Sequence, residues 1–252
     1  MKSKFFHQAG YKYFLLIAGM ILTSWLVYIH ILFKPLSPTE IDQLVMQATF
    51  GQDKNSFDRL KTAAGQGQVE AQMAVGKTYM FKHQSASAVH FLDQAAQQGN
   101  VEAETLLAKL YFHGDQQLAK NENLALKYFE RAFQHKDPVA AYYLGMMYKN
   151  GYAVVIEKQK ANDYFEFAAQ HHIPSAMFML ANAYQYGDGK PTDLKQAYYW
   201  YKEAAELELP EAIQELAHIY QYGNAAIQAN PTAYQQQMLE IGHSLKHPAL
   251  TP

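Results

Sequence analysis

The stretch ANDYFEFAAQHHIPSAMFMLANAYQYG, residues 161–187, carries the pattern that decides the fold. Ala161, Tyr164, Phe165, Ala168 and Ala169 recur at steps of three and four, the apolar stripe of an α-helix. Pro174 punctuates the chain, and Ala176, Leu180, Ala181 and Tyr184 lay down a second stripe of the same period. Gly187 follows, the residue most at ease in a left-handed helix end. One helical hairpin is predicted, and the rest of the chain rewrites it.

Aligned on Tyr79, Tyr111, Tyr148, Tyr184 and Tyr220, the residue eight earlier is alanine in all five copies: Ala71, Ala103, Ala140, Ala176 and Ala212. Four before each tyrosine stand Val75, Leu107, Leu144, Leu180 and Leu216. Three before it stand Gly76, Ala108, Gly145, Ala181 and Ala217, small enough to let a second helix come close. Gly114, Gly151, Gly187 and Gly223 follow three after the tyrosine, but Lys82 takes that place in the first copy, where the step to the next tyrosine is 32 residues instead of 37, 36 and 36. The second helix opens with Ala88, Ala125, Ala161 and Ala197, carries a ring three residues on (Phe91, Tyr128, Tyr164, Trp200), read as the knob of the pair, and closes on Ala95, Ala132, Ala168 and Ala204. Agreement at so many positions establishes helix-turn-helix repetition. The frame breaks after Ala233, where Gln236, Gln237 and Glu240 replace its apolar positions. Residues 231–245 are therefore predicted as a polar carboxy-terminal cap and 246–252 as a tail.

The succession of Ala, Leu-Gly or Leu-Ala, Tyr, Gly, an acid-bearing loop, Ala, Trp-Tyr and Ala-Ala resembles the Sel-one-like repeat, a relative of the tetratricopeptide repeat. Residues 183–212 match best, with Tyr184, Gly187, Gly189, Asp193, Ala197, Trp200, Tyr201, Ala204 and Ala205 in family positions. The resemblance covers roughly Ser56 to Gly242, the domain being taken as residues 56–245. It implies an all-α fold, an α-solenoid whose first helices line a concave face. Phe133, in place of the second alanine of an Ala-Ala pair, predicts looser stacking near the middle.

Ahead of the repeats, Tyr13 to Phe33 carries no charged residue. At about 1.5 Å per residue it reaches about 31 Å, against a hydrocarbon thickness of roughly 30 Å. One transmembrane helix over residues 13–33 is predicted, uncleaved because KPLSPTE after Phe33 offers no small-x-small site. Lys2, Lys4 and Lys12 precede it and only Lys34 follows before Glu40 and Asp42, so residues 1–12 are expected in the cytoplasm and the repeats outside it. In a bacterium of the two-membrane type this means a single-pass inner-membrane protein with a periplasmic domain. Residues 34–55 form a linker and a first helix, announced by Ser37-Pro38-Thr39-Glu40, a hydroxyl cap followed by an acid. A second helix is expected from about Ser56 to Ala64.

Composition excludes several functions. The formal charge is −2, with no Lys/Arg cluster after residue 35, which argues against nucleic acid. No cysteine is present, which removes disulfides, thiolate catalysis and Cys-based zinc sites. Gly187-Asp188-Gly189-Lys190 imitates a phosphate loop, but Tyr184 stands where a glycine is required and a helix precedes it. Asp188 and Asp193 supply too few oxygens for calcium. His243 and His247 have zinc-like spacing without a third ligand, and the adjacent His171 and His172 point to different sides. No metal, cofactor or catalytic residue is assigned, and no small-molecule substrate is expected.

What the repeat frame leaves unexplained is a face. Positions two, six and nine after the anchoring alanine read Met73, Lys77, Met80; Thr105, Lys109, Phe112; Tyr142, Met146, Lys149; Phe178, Asn182, Gln185; and Gln214, His218, Gln221. Large apolar residues mixed with Lys, Asn and Gln have the composition of an interface centre. Met73, Lys77, Lys109, Phe112, Tyr142, Met146, Lys149, Phe178, Asn182, Gln185 and His218 are the candidate partner-binding residues, the lysines favouring an acidic partner. The competing expectation is that the superhelix itself buries Met and Phe here. The function expected is a non-catalytic scaffold for a protein or peptide of the cell envelope. The resemblance implies roles such as envelope adaptor, sensor-kinase regulator, secretion-system accessory or toxin-immunity protein. It also implies an alternative, a cell-wall or β-lactam hydrolase, but relatives ascribed that activity are rich in paired cysteines.

Overall fold

The computed structural model describes residues 23–24 and 35–246, the side chains of Gln237 and of residues 240–246 excepted. The expected cytoplasmic tail and most of the expected membrane helix at 13–33 lie outside the described residues, as do His247 with the rest of the tail and the side chains of Gln237, Glu240 and His243. Among the described residues no helix is long and apolar enough to cross a membrane. Twelve helices run through residues 38–246: α1 (Pro38–Thr49), α2 (Lys54–Gly65), α3 (Val69–Phe81), α4 (Ser85–Gln97), α5 (Val101–His113), α6 (Glu122–Gln134), α7 (Pro138–Asn150), α8 (Lys158–Gln170), α9 (Pro174–Tyr186), α10 (Leu194–Glu206), α11 (Pro210–Tyr222) and α12 (Pro231–Lys246). They form two compact units, one ending at Ala95 and one beginning at Ala96.

In the first unit α1, α2 and α3 pack on one another. Ser37 starts α1 with a reciprocal cap: its Oγ accepts from the Glu40 N–H at 3.3 Å while its own N–H donates to the Glu40 carboxylate at 2.9 Å. Asp53 starts α2 by accepting from the Asn55 and Ser56 N–H groups, so that helix begins at Lys54, two residues before the apolar pattern predicts. Leu36 is tied to Gln68 by two hydrogen bonds, which pins the entering chain beside the α2–α3 turn.

In the second unit α5 to α12 pack in succession, each on the next. Asn100, Asn121, Asp137 and Asp193 cap α5, α6, α7 and α10 with side-chain oxygens. Pro138, Pro174 and Pro210 open α7, α9 and α11 at the first helical turn, where the missing N–H costs nothing. Gly151 and Gly187 end α7 and α9 in the left-handed conformation.

The small residue three before each tyrosine is where the two helices of a hairpin meet. A Cβ on Gly145 would lie 2.6 Å from the Phe165 ring and 3.1 Å from the Ala161 carbonyl oxygen, and one on Gly76 would lie 2.7 Å from the Leu92 side chain. The knobs pressed against these positions are Leu92, Phe129, Phe165 and Tyr201, each no more than 1% exposed. They stand four residues after the opening alanine, not three, which corrects the knob read from the sequence. Positions zero, four and seven share one helix face and point at the partner, while position three sits about 100° round from position four, on the flank. There Phe91, Tyr128 and Tyr164 stack on Tyr79, Tyr111 and Tyr148 at centroid distances of 5.8, 6.2 and 5.7 Å.

The recurring tyrosine also closes the loop with its backbone. The carbonyls of Tyr79, Tyr111, Tyr148, Tyr184 and Tyr220 accept from the N–H of Gln84, Asn121, Glu157, Asp193 and Asn230, the residue heading the next helix in each copy. The closure is indifferent to loop length, which is how the first copy does without its glycine: His83 takes a left-handed φ of 54° in a shorter turn. Phe133, expected to loosen the stacking, meets Tyr164 and Phe167 edge-on at 5.1 and 5.2 Å.

Two outcomes follow. Gly145→Ala should lower thermal stability despite alanine's better helix propensity, by about 1–3 kcal/mol of overpacking; Gly76→Ala should lower it too, since Cγ and Cδ2 of the fully buried Leu92 stand 2.7 Å from the added Cβ. Circular-dichroism melting compares the two. Glu104 is buried and paired at 2.6 Å with Arg131, which also donates to the Ala96 carbonyl. Arg131→Met should destabilise by about 3 kcal/mol through an uncompensated carboxylate, and adding Glu104→Gln should restore part of it.

Candidate functional site

The candidate docking residues do not share one environment. Met73 is 6% exposed, part of the core of the first unit, so it is withdrawn from the surface; Lys77 is exposed. In the second unit Phe112 lies half-buried in a ring cluster with Phe129, Tyr143 and Tyr152, capped by the Lys120 ammonium. Beside it, burial and the charges of Lys109 and Lys120 hold His113 below the usual imidazole range. Tyr142, Met146 and Phe178 are half-buried against the core of α7, α8 and α9, Tyr142 meeting Phe165 at 6.1 Å and Phe178 meeting Tyr201 at 5.6 Å. Lys109 and Gln185 are half-buried, and His218 is exposed against the Tyr222 ring. Position two is buried or half-buried in the first four copies, Thr105 included, and exposed in the last, at Gln214.

Two of the candidates, Lys149 and Asn182, come together. They line a cleft of about 530 Å³ bounded by the end of α7, the start of α8 and the outer face of α9. Met179, Asn182, Ala183 and Tyr186 form its α9 wall at steps of three and four, positions three, six, seven and ten of the repeat. Sequence reasoning found Asn182 but missed Met179, Tyr186, Lys158, Asn162 and Asp188. The missing signal was Tyr186, an aromatic left 69% exposed one residue before the capping glycine, as Tyr222 is in the next copy at 66%.

Hydrogen bonds fix the polar groups of the cleft. Lys158 pairs with Asp188 at 2.6 Å, and Asn162 donates to the Asp188 carbonyl at 2.7 Å, bracing the loop after Gly187. Gly189 allows this because, at φ +74°, it brings the loop within a distance where a Cβ would sit 2.7 Å from the Lys158 backbone. Lys190 anchors the same loop to Glu166 at 2.7 Å and lies over the Tyr184 ring. Tyr201 donates its hydroxyl to Asn182 Oδ1 at 2.8 Å. Burial pushes that hydroxyl well up, so it remains a donor at all ordinary pH. Lys149 Nζ donates to Met179 Sδ at 3.7 Å, a soft acceptor, and among the described residues no carboxylate lies within ion-pair distance of it.

The other patterns resolve into structure. Asp193 caps α10, and Asp188 belongs to the braced loop. His172 supplies the left-handed turn residue between α8 and α9 at φ 60°, while His171 stacks on Phe167. Among the described residues no three His, Asp or Glu side chains gather as a metal site. Asn162→Ala should speed amide hydrogen exchange across residues 187–193 while leaving α7 and α9 protected, since it removes the brace and little packing.

Five consecutive stretches, 69–100, 101–137, 138–172, 174–209 and 210–233, match the Sel1 repeat, more than half of the 252 residues. Among solved structures, a Sel1 repeat protein from Oxalobacter formigenes is 29% identical with a TM-score of 0.67, over 73% of this chain and 74% of that one. A protective antigen of uropathogenic Escherichia coli displaying an SLR fold is 23% identical with a TM-score of 0.68; the match covers 83% of this chain and 47% of the antigen, and shows the fold alone. A Sel1 repeat protein from Klebsiella pneumoniae aligns at 21% identity and a TM-score of 0.50, over 75% of this chain and 91% of its own. No curated protein matches the sequence.

Proposed function

This chain belongs to the Sel1 repeat family, and we propose that it is a non-catalytic docking scaffold of the bacterial envelope, held to the inner membrane by residues 13–33 with its repeats in the periplasm. Proteins built from such repeats mediate protein–protein interaction. The observation that carries the reading is the cleft on α7, α8 and α9, whose lining of Lys149, Asn182, Met179 and Tyr186 offers recognition groups and includes no Ser, Thr, Cys or His. A stacked array presents such a face preformed, so a partner binds without ordering the scaffold first. The apolar run from Tyr13 to Phe33 and the lysines ahead of it support the placement. Secretion-system accessory, envelope regulator and toxin-immunity protein are the roles this placement suits.

Affinity purification of the full chain in detergent, with and without Met179→Ala, Asn182→Ala and Tyr186→Ala together, tests the docking face. Recovery of a defined partner should fall by at least about tenfold, as expected when anchoring side chains are removed; undiminished recovery would overturn the reading. Protease added to spheroplasts should digest the repeats, and their protection would overturn the periplasmic placement. Turnover of peptidoglycan or a chromogenic β-lactam by the purified chain, lost on point substitution, would replace the scaffold by an enzyme.

A further inference from the structure

We propose that the cleft between α7 and α9 is a carboxylate-reading subsite, which takes an Asp or Glu side chain of an extended partner peptide with an apolar neighbour beside it. The proposal rests on the docking reading above and adds the ligand chemistry. It begins with charge. The cleft holds Lys149, Lys158 and Asp188; Lys158 and Asp188 neutralise each other at 2.6 Å, so the charge left over is that of Lys149. Its ammonium has the Met179 sulfur for company, a weak acceptor that leaves most of its donor capacity for an incoming anion.

The second argument is the direction of an amide. Asn182 lines the cleft with one carbonyl oxygen and one NH2 group, and either could face a ligand. In the structure the oxygen is the atom turned to the Tyr201 hydroxyl. Tyr201 is 0% exposed, and its O–H donates to Asn182 Oδ1 at 2.8 Å, which commits the oxygen inward and leaves the NH2 as the group available to the cleft. A donor amide and an ammonium with no carboxylate in ion-pair distance, lining one cleft, make an anion receptor. Asn162 contributes nothing to the ligand because its NH2 is spent on the Asp188 carbonyl. Around the polar pair, Met179 and the exposed ring of Tyr186 supply the apolar surface for the adjoining side chain.

A peptide-bound carboxylate fits better than a free small anion. The cleft is open to solvent, and its single net positive charge matches one carboxylate rather than a dianion. Tyr201 is a positioning residue in this scheme: it touches no ligand and acts through Asn182.

The test is selection of random dodecapeptides on the detergent-solubilised full chain, followed by affinity measurement of one selected peptide and its Asp→Asn or Glu→Gln counterpart. Selected peptides should share one acid at a fixed position next to an apolar residue, and amide replacement should weaken binding by about tenfold or more, the worth of a charge-assisted hydrogen bond. Lys149→Gln should abolish the acid preference. Asn182→Asp, which can still accept from Tyr201, should turn the cleft against acids. Tyr201→Phe should shrink the acid preference while the affinity for the neutral peptide is kept, a split that mere loss of packing would not produce. Acid-free selected peptides, or acidic ones bound equally by the Lys149→Gln chain, would overturn the subsite; if those same peptides are lost from the Met179, Asn182 and Tyr186 triple variant, the docking face stands without it. Failure to select any peptide would overturn both. Inorganic phosphate binding with the same Lys149 dependence and the same affinity as the peptide would overturn the peptide assignment in favour of a small anion.

Discussion

Everything in the repeats depends on how closely two helices can approach. Gly145 under the Phe165 ring, with no room for a Cβ, and Gly76 under Leu92 mark the contact at its tightest. Where alanine stands instead, at Ala108 and Ala181, the same seat receives Phe129 and Tyr201. A large side chain seated on a small one buries apolar area without a cavity, and interiors reward that because both voids and overpacking are costly. Since the same seat recurs, one packing solution serves several hairpins, and the chain, which has no cysteine, holds them without a disulfide.

The recurring tyrosine performs two tasks with two different parts. At Tyr79, Tyr111 and Tyr148 its ring stacks on the flanking ring of the second helix, and in every copy its carbonyl receives the N–H of the residue just ahead of that helix. The backbone bond frees the intervening loop from any fixed length, since a closed loop lengthened by a few residues costs only tenths of a kilocalorie. Loops can therefore vary in composition, and the one after α9 has been turned to a different use: Asp188 is held at the edge of the cleft by Asn162 and Lys158.

Helix existence, period and pairing were legible because each rests on residue size and spacing, which a sequence states openly. The choice of Ser37 as a cap was legible for the same reason, as Glu40 stands three residues on. The knob was misassigned by one position because Tyr164 and Phe165 are both rings, and neither carries a sign of which one faces the partner helix. The docking face was half legible. Met73 and Thr105 sit at its nominal positions but point inward, a matter of helix rotation that polarity alone does not reveal. Lys149 and Asn182 were found singly; that they meet, and that Lys158 is neutralised while Lys149 is not, depends on contacts 26 and 30 residues apart in sequence, as between Asn162 and Asp188 or Lys149 and Met179.

The knob series reads Leu92, Phe129, Phe165, Tyr201, and its last member differs from phenylalanine by one oxygen atom. A stack of near-identical modules is a ruler with no zero: an extended ligand that fits one step fits the next almost as well, and its register is degenerate by about one repeat. Tyr201 breaks that degeneracy. Its hydroxyl orients an amide in one repeat and has no counterpart on Leu92, Phe129 or Phe165, so one step of the ruler is marked. A single buried atom, invisible from the surface, can thus convert a translational pattern into an address.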